Sequence, residues 1–284
     1  MKILFDYSIF VIILFLTYPH STNCQNSIDK NIRQDDFMLI AHRGASGYAP
    51  ENTIPALLKA MELGANYLEI DVHQSIDSQI VVIHDYDIDR TTNGTGSVKE
   101  MNIAELKQFD AGSWFDPLFA GTRIPTLQEV LNILEPNVKL IIEVKGNSED
   151  YPGIEQNIIS IVSQYQVESQ IILKSFSIDV LNRFKILAPE IPRLYVFVLH
   201  LSALNFTIDK WINFTDIYEN LSEAQYFQAH CWFINKSVIE NAHANSIKII
   251  AWHVNTEEEV ESMLELGVDG IETDYPDRVL PYLK

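Results

Sequence analysis

The sequence predicts an α/β fold of the TIM type: a barrel of eight parallel strands alternating with helices, carrying a small inserted cap segment. Short apolar runs alternate with stretches of helical periodicity along most of the chain, the pattern of an α/β protein. Nine runs read as strands, near 38–42, 67–72, 80–84, 139–144, 170–175, 193–198, 226–230, 247–252 and 269–273. Only seven residues separate Val72 from Ile80, whereas a parallel crossover needs roughly a dozen or more. The run at 80–84 must therefore return antiparallel, which leaves eight strands for a parallel set. A doubly wound open sheet is the competing arrangement, but no Gly-rich nucleotide loop accompanies it.

Taken in order, residues 1–25 read as a cleaved secretory signal. Lys2 supplies a positive start, Ile9 to Leu16 is an unbroken apolar run too short to span a bilayer, and small polar residues follow. A secreted or periplasmic protein is expected, with a retained membrane anchor as the alternative. Residues 26–284 form the barrel domain. Ile54, Leu57, Leu58 and Met61 recur on one helical face, with Asn52 or Thr53 able to cap the start and Gly64 placed at the stop. Thr126 with Glu129, and Thr256 with Glu259, have the spacing of capping boxes at two later helices. The second of these helices buries Val260, Met263 and Leu264 and stops at Gly267. A two-residue turn at Asp77-Ser78 sets Asp71 opposite His84 across the predicted hairpin. Moving the turn's centre by one residue sets Glu69 opposite instead, and either register returns His84 to the acids. Residues 86–125 contain no clear helix–strand unit, and an insertion of that length in a compact fold is commonly a lid or small subdomain.

Composition narrows the function. A length of 284 residues with 47% hydrophobic and 21% charged residues is that of an ordinary globular protein. The net charge of −19 repels nucleic acid and anionic membranes over long range. An anionic substrate therefore needs local cations. After removal of the leader only Cys231 remains, so neither an internal disulfide nor a multi-cysteine zinc site is available. Nothing points to an obligate protein partner.

The chemistry concentrates at strand ends, in His42-Arg43-Gly44, Glu69-Ile70-Asp71, His84-Asp85 and Glu143-Val144-Lys145. Glu69 and Asp71 are two apart and face one side of a strand. Glu143 ends another strand and can complete an all-oxygen site, suited to one Ca²⁺ or Mg²⁺ rather than zinc or copper. His42 and His84 are the acid/base candidates, since an imidazole titrates near neutrality. Arg43 offers a planar fork to a phosphate, and Lys145 a point charge. For both, an ordinary salt bridge to a nearby acid is the alternative. Trp252 and Phe176 are expected to wall the pocket, with plain barrel packing as the alternative. Asp85 is read as a supporting residue on the face opposite His84. His73 is left out of the site. Glu272 and Asp274 repeat the Glu-x-Asp spacing but lack a returning histidine strand, and are read as a decoy for the metal site. Glu62-Leu63-Gly64 before Glu69-x-Asp71 is echoed by Glu265-Leu266-Gly267 before Glu272-x-Asp274.

From about residue 38 to the C-terminus these segments, in order, resemble the glycerophosphodiester phosphodiesterases. The resemblance adds Pro50-Glu51-Asn52-Thr53, Val82-Ile83-His84-Asp85, Arg90-Thr91-Thr92 and Ile124-Pro125-Thr126-Leu127 to the four segments above. It continues through Ser175-Phe176, Ala251-Trp252-x-Val254-Asn255 and Gly270-Ile271-x-Thr273-Asp274. His253 departs from it, standing where threonine is expected. The resemblance implies the barrel, a cap beside its mouth, and metal-dependent hydrolysis of glycerophosphodiesters to an alcohol and glycerol 3-phosphate. It also implies two-histidine acid/base catalysis through a cyclic phosphate. A lipid-cleaving relative and an inactive ligand-binding barrel are the alternatives. The complete His-Arg-Gly and Pro-Glu-Asn-Thr pair disfavours the first, and the full set of acids and histidines disfavours the second.

Overall fold

The strands are short and alternate inward and outward, so the inward positions form layers. The computed structural model describes residues 32–146, 149–197, 200–201, 206–207 and 224–284, and the leader expected at 1–25 lies outside them. The strands are β1 (Met38–Ala41), β2 (Tyr67–Gln74), β3 (Ile80–Val82), β4 (Lys139–Val144), β5 (Ile171–Ser175) and β6 (Arg193–Val196). They continue with the short ribbon β7 (His200–Leu201) and β8 (Phe206–Thr207), then β9 (Tyr226–His230), β10 (Lys248–Trp252) and β11 (Gly270–Thr273). Parallel neighbours run β1-β11-β10-β9-β6-β5-β4-β2, and Ile40 and Ala41 of β1 pair with Tyr67 and Leu68 of β2 to close the barrel. The β3 strand lies outside this ring, antiparallel on the end of β2. The structure is thus a closed eight-stranded parallel barrel, as expected from the alternation of elements.

Helices α1 (Ile54–Glu62), α2 (Ile103–Leu106), α3 (Leu127–Ile133), α4 (Ile154–Tyr165), α5 (Ile178–Leu187), α6 (Lys236–Ala244) and α7 (Glu257–Leu266) follow in chain order. The main apolar core lies between the strands and these helices. A second layer, built from Met38, Ile40, Ile141, Ile172, Leu194, Val196 and Ile250, fills the barrel interior. Above it the inward positions become charged. Ile40 is followed by His42, Tyr67 by Glu69 and Asp71, Ile141 by Glu143, and Ile172 by Lys174. The C-terminal mouth is therefore polar on a sealed apolar floor.

Both expected capping boxes form, at Thr126/Glu129 and Thr256/Glu259, and Gly267 ends α7 in the left-handed region at φ 88°. The buried face of α1 differs from expectation. It comprises Ala56, Leu57 and Ala60, while Leu58 is 48% exposed. The reason is a close backbone approach. A Cβ on Gly44 would stand 2.6 Å from the carbonyl carbon of Ala56, and Gly44 has φ +80°. A small α1 residue and a glycine are both required at that contact. Gly44→Ala should cost about 1–3 kcal/mol. Urea denaturation checks this, and an unchanged midpoint would count against the contact.

The hairpin register also differs. Val72 pairs with Val82 and Gln74 with Ile80, midway between the two registers considered. The turn has three residues rather than two. Ser75 N–H donates to Gln79 O at 2.9 Å, and Ser78 takes the left-handed conformation at φ 62°. The ladder ends at Val82, a last cross-strand bond runs from Ile83 N–H to Asp71 O at 3.0 Å, and His84 follows directly after it.

Residues 86–125 form turns, α2 and a small core of their own. Ile88, Val98, Leu106, Ala111 and Ile124 pack with Val81 and Ile83. Ile76 N–H donates to Met101 O at 3.0 Å and Ile103 N–H to Asp77 Oδ1 at 3.1 Å. These bonds hold the segment against the β2–β3 hairpin, at the C-terminal end of the barrel.

Candidate active site

The β1 strand lies between β2 and β11, and each neighbour brings a Glu-x-Asp pair. After β1 the chain turns sharply. Arg43 is left-handed at φ 56°, and its N–H donates to Glu69 Oε2 at 3.0 Å. Asn52, also left-handed at φ 56°, donates from Nδ2 to Asp71 Oδ2 at 2.7 Å and accepts from Asp71 N–H at 3.0 Å. The Pro-Glu-Asn-Thr segment thus fixes one acid of the cluster directly.

Glu69, Asp71 and Glu143 are buried, and one carboxylate oxygen from each lies within 4.8 Å of the others. Cations interleave with them. Lys145 Nζ is 2.9 Å from Asp71 and also contacts Glu143, and Arg43 Nε is 3.1 Å from Asp71. Burial disfavours charge on Asp71, yet Lys145 and Arg43 hold its carboxyl well below the usual range. Burial pushes Glu69 up to about 7, Lys174 only partly countering it. The donor set is all oxygen, the ligand type of a hard divalent cation.

Lys174 is a residue the sequence reading missed. Its Nζ lies 3.1 Å from Glu69, 3.1 Å from Glu143 and 3.2 Å from Glu272, and its side chain is 3% exposed. Burial opposes its charge, but Glu272, Glu69 and Glu143 hold the ammonium group well above its ordinary pKa. Lys174→Met leaves those carboxylates without their shared cation and should cost about 3–5 kcal/mol. The test is the denaturant midpoint measured in chelator. A loss below ~1 kcal/mol, the range of an exposed pair, would contradict the role.

The two histidines have separate supports. His42 Nδ1 lies 2.7 Å from Asp274 Oδ1, and that carboxylate also accepts from Ser46 Oγ at 2.8 Å and Asn255 Nδ2 at 2.7 Å. Burial works against the charged ring, but the bond to Asp274 together with the charges of Glu272 and Glu69 raises the His42 pKa. His84 Nδ1 lies 2.6 Å from Asp85 Oδ1, and Asp85 is held in turn by Arg90 Nε at 2.6 Å. Burial lowers the His84 pKa, and Lys145 and Arg43 act in the same direction. Either imidazole, when protonated, favours the ionised form of Asp71.

Two readings need adjustment. Glu272 and Asp274 stay outside the three-carboxylate cluster, as expected, but they line the same mouth and support His42 and Lys174. The β1–β11 register sets Ile40 beside Glu272 and Ala41 beside Thr273, which carries Asp274 to His42. The echo of the two Glu-x-Asp segments was the available signal, since both strands flank β1. Asp85 does not face away from His84 but bonds it, because the strand's alternation has already ended at Val82. His73 has both ring nitrogens engaged, Nδ1 at 2.7 Å from Tyr151 Oη and Nε2 at 3.0 Å from the His84 carbonyl. Burial lowers its pKa to about 4.

Arg43 also donates to Glu51 Oε1 at 2.8 Å, and Arg90 clamps Glu51 with two bonds of 2.8 Å. This ties the inserted segment to the mouth. Phe176 is 41% exposed, its ring is 6.4 Å from that of Trp252, and Lys145 Nζ lies 5.7 Å over it. His253 places Nε2 3.1 Å from His42 Nε2, and burial followed by the charge of His42 lowers its pKa to about 3.

Comparison with known proteins agrees with this arrangement. The model of the glycerophosphoryl diester phosphodiesterase family matches residues 42–278. The chain is 38% identical over 246 residues to a glycerophosphodiester phosphodiesterase of Caldanaerobacter subterraneus, spanning 86% of this chain and 96% of that protein. A Bacillus altitudinis glycerophosphodiester phosphodiesterase is 35% identical over 85% of this chain and 96% of its own length. Among solved structures, an Oleispira antarctica phosphodiesterase in complex with the product sn-glycerol-3-phosphate has a TM-score of 0.76 and 30% identity, over 86% of this chain and 95% of that one. The chain belongs to the glycerophosphoryl diester phosphodiesterase family and is an enzyme of that family.

Proposed function

We propose that the protein hydrolyses glycerophosphodiesters to an alcohol and glycerol 3-phosphate, with His42 and His84 as the proton-transfer pair and one Ca²⁺ or Mg²⁺ at Glu69, Asp71 and Glu143. The observation that carries this reading is the placement of two differently supported imidazoles around one buried carboxylate cluster. A hard cation bound there supplies charge to a non-bridging phosphate oxygen and acidifies a nearby hydroxyl.

The opposed shifts favour opposite roles, His84 as the readier base and His42 as the readier acid. His84 accepts the proton of the glycerol C2 hydroxyl as its oxygen attacks phosphorus. His42 gives its proton to the departing alcohol oxygen, and a cyclic phosphate remains. In the second step neutral His42 takes a proton from water, whose oxygen attacks phosphorus. Protonated His84 returns its proton to the C2 oxygen, and both rings regain their starting states. Arg43 and Lys145 face the charge that grows on phosphate. The inserted segment, tied to Glu51 by Arg90, limits the bulk of the leaving alcohol, and Phe176 and Trp252 wall its path. A path limited in this way favours small water-soluble substrates over diacyl lipids.

Product release from glycerophosphocholine, lysolipid and diacyl lipid, each with and without chelator, tests this reading. Metal-dependent release of the head-group alcohol is expected, fastest from the first substrate, where glycerol 3-phosphate is the other product. The pH dependence follows from the same shifts. kcat/KM should fall on the acid side as His84 gains a proton, and on the alkaline side as His42 loses one. Asp274→Asn removes the partner that raises the His42 pKa, so the alkaline limb should move to lower pH. An alkaline limb that stays in place would dissociate it from His42.

A further inference from the structure

A second set of donors converges at the mouth and shares no residue with the three-carboxylate cluster. Ring nitrogens of His42 and His253 and a carboxylate oxygen of Glu272 all lie within 4.8 Å of one another. They come from three consecutive staves of the barrel, since β11 lies between β1 and β10. The two Nε2 atoms are 3.1 Å apart. Two nitrogens bound tetrahedrally at the ~2.0–2.1 Å of a zinc–imidazole bond stand about 3.3 Å apart, so little movement is needed for both to reach one ion.

The surroundings point the same way. A metal-bound histidine usually gives its other ring N–H to a carboxylate, which fixes its tautomer and orientation. His42 Nδ1 does this with Asp274 at 2.7 Å, and Ser46 and Asn255 hold that carboxylate in place. Lys174 donates to both Glu272 oxygens at 3.2 Å, but each oxygen keeps a further lone pair. Two imidazoles and one carboxylate suit a borderline ion such as Zn²⁺, whereas three carboxylates suit a hard one. The two sets are therefore chemically distinct.

We propose that His42, His253 and Glu272 form a second divalent-cation site that takes Zn²⁺, and that the bound ion inhibits hydrolysis by occupying His42 Nε2. The inhibitory half rests on the proton-transfer role proposed for His42, while the binding half does not.

Zn²⁺ is titrated calorimetrically into the purified protein with Mg²⁺ in excess throughout, and Co²⁺ serves as an optical probe of the same site. One Zn²⁺ per chain is expected to bind despite the Mg²⁺, and Co²⁺ to give the intense visible bands of a low-coordinate nitrogen-containing site. His253→Gln should weaken Zn²⁺ binding by at least ~10-fold, the scale of a disturbed metal site, and leave Mg²⁺ binding unchanged. His253→Thr is a second variant, and circular dichroism verifies that both are folded. Inhibition is read within each variant as the ratio of rates with and without Zn²⁺, and its sensitivity should fall in parallel. Zn²⁺ binding that survives both substitutions, or that Mg²⁺ competes away, overturns the site. Zn²⁺ binding without inhibition overturns the regulatory role. If the protein releases no glycerol 3-phosphate, the catalytic proposal fails alone, and calorimetry still decides the site.

Discussion

His42→Ala and His84→Ala should each reduce turnover of glycerophosphocholine by about 10²–10⁴-fold, the contribution typical of a positioned acid or base. Neither change should unfold the protein. The His84 side chain is 31% exposed, and His42 sits at the polar mouth above the apolar floor. The loss should appear in kcat rather than KM, because proton transfer is made in the transition state. The two effects should also combine to much less than their product, since each ring reverses its role in the second step and neither completes a cycle alone. Steady-state rates for the two single variants and the double variant, with thermal melts for each, check these points. Normal turnover in either folded single variant would remove that residue from the mechanism.

Chelation should abolish activity, and Mg²⁺ or Ca²⁺ should restore it. Glu69→Gln, Asp71→Asn and Glu143→Gln should each weaken metal binding by at least ~10-fold, since even residues that only support ligands change affinity about 10–100-fold. Among the three, Asp71→Asn should be the most damaging. That carboxylate also accepts from Asn52 at 2.7 Å and is ion-paired with Lys145 at 2.9 Å and Arg43 at 3.1 Å, so the substitution disturbs those two cations as well as the proposed ligand set. Calorimetric metal titration of each variant separates loss of the ion from loss of chemistry. Full activity in excess chelator, with metal analysis showing none bound, would rule out the metal requirement.

The fold was legible in the sequence because strand spacing is a strong constraint. The short gap between Val72 and Ile80 excluded a parallel crossover, and that one inference isolated β3 and left eight staves. The site was legible where residues near in sequence share a strand face, as Glu69 with Asp71 do. What could not be read was which distant strands become neighbours in the closed barrel. Asp274 reaches His42 across 232 residues of chain only because β11 pairs with β1. Lys174 was hidden for the same reason. A lysine in an apolar strand, two positions after Ile172, shows its meaning only once three carboxylates from other strands surround it. The hairpin register was missed at the level of turn chemistry, where Ser78 adopts a left-handed conformation that serine seldom takes.

The pairing of β11 with β1 makes the last joint of the ring and the support of His42 one event. The carboxylate that bonds His42 is delivered only when β11 docks between β1 and β10. The strands that carry Glu69, Asp71 and Glu143 are neighbours elsewhere in the ring. A substitution that loosens β11 should therefore lower activity before it lowers metal affinity.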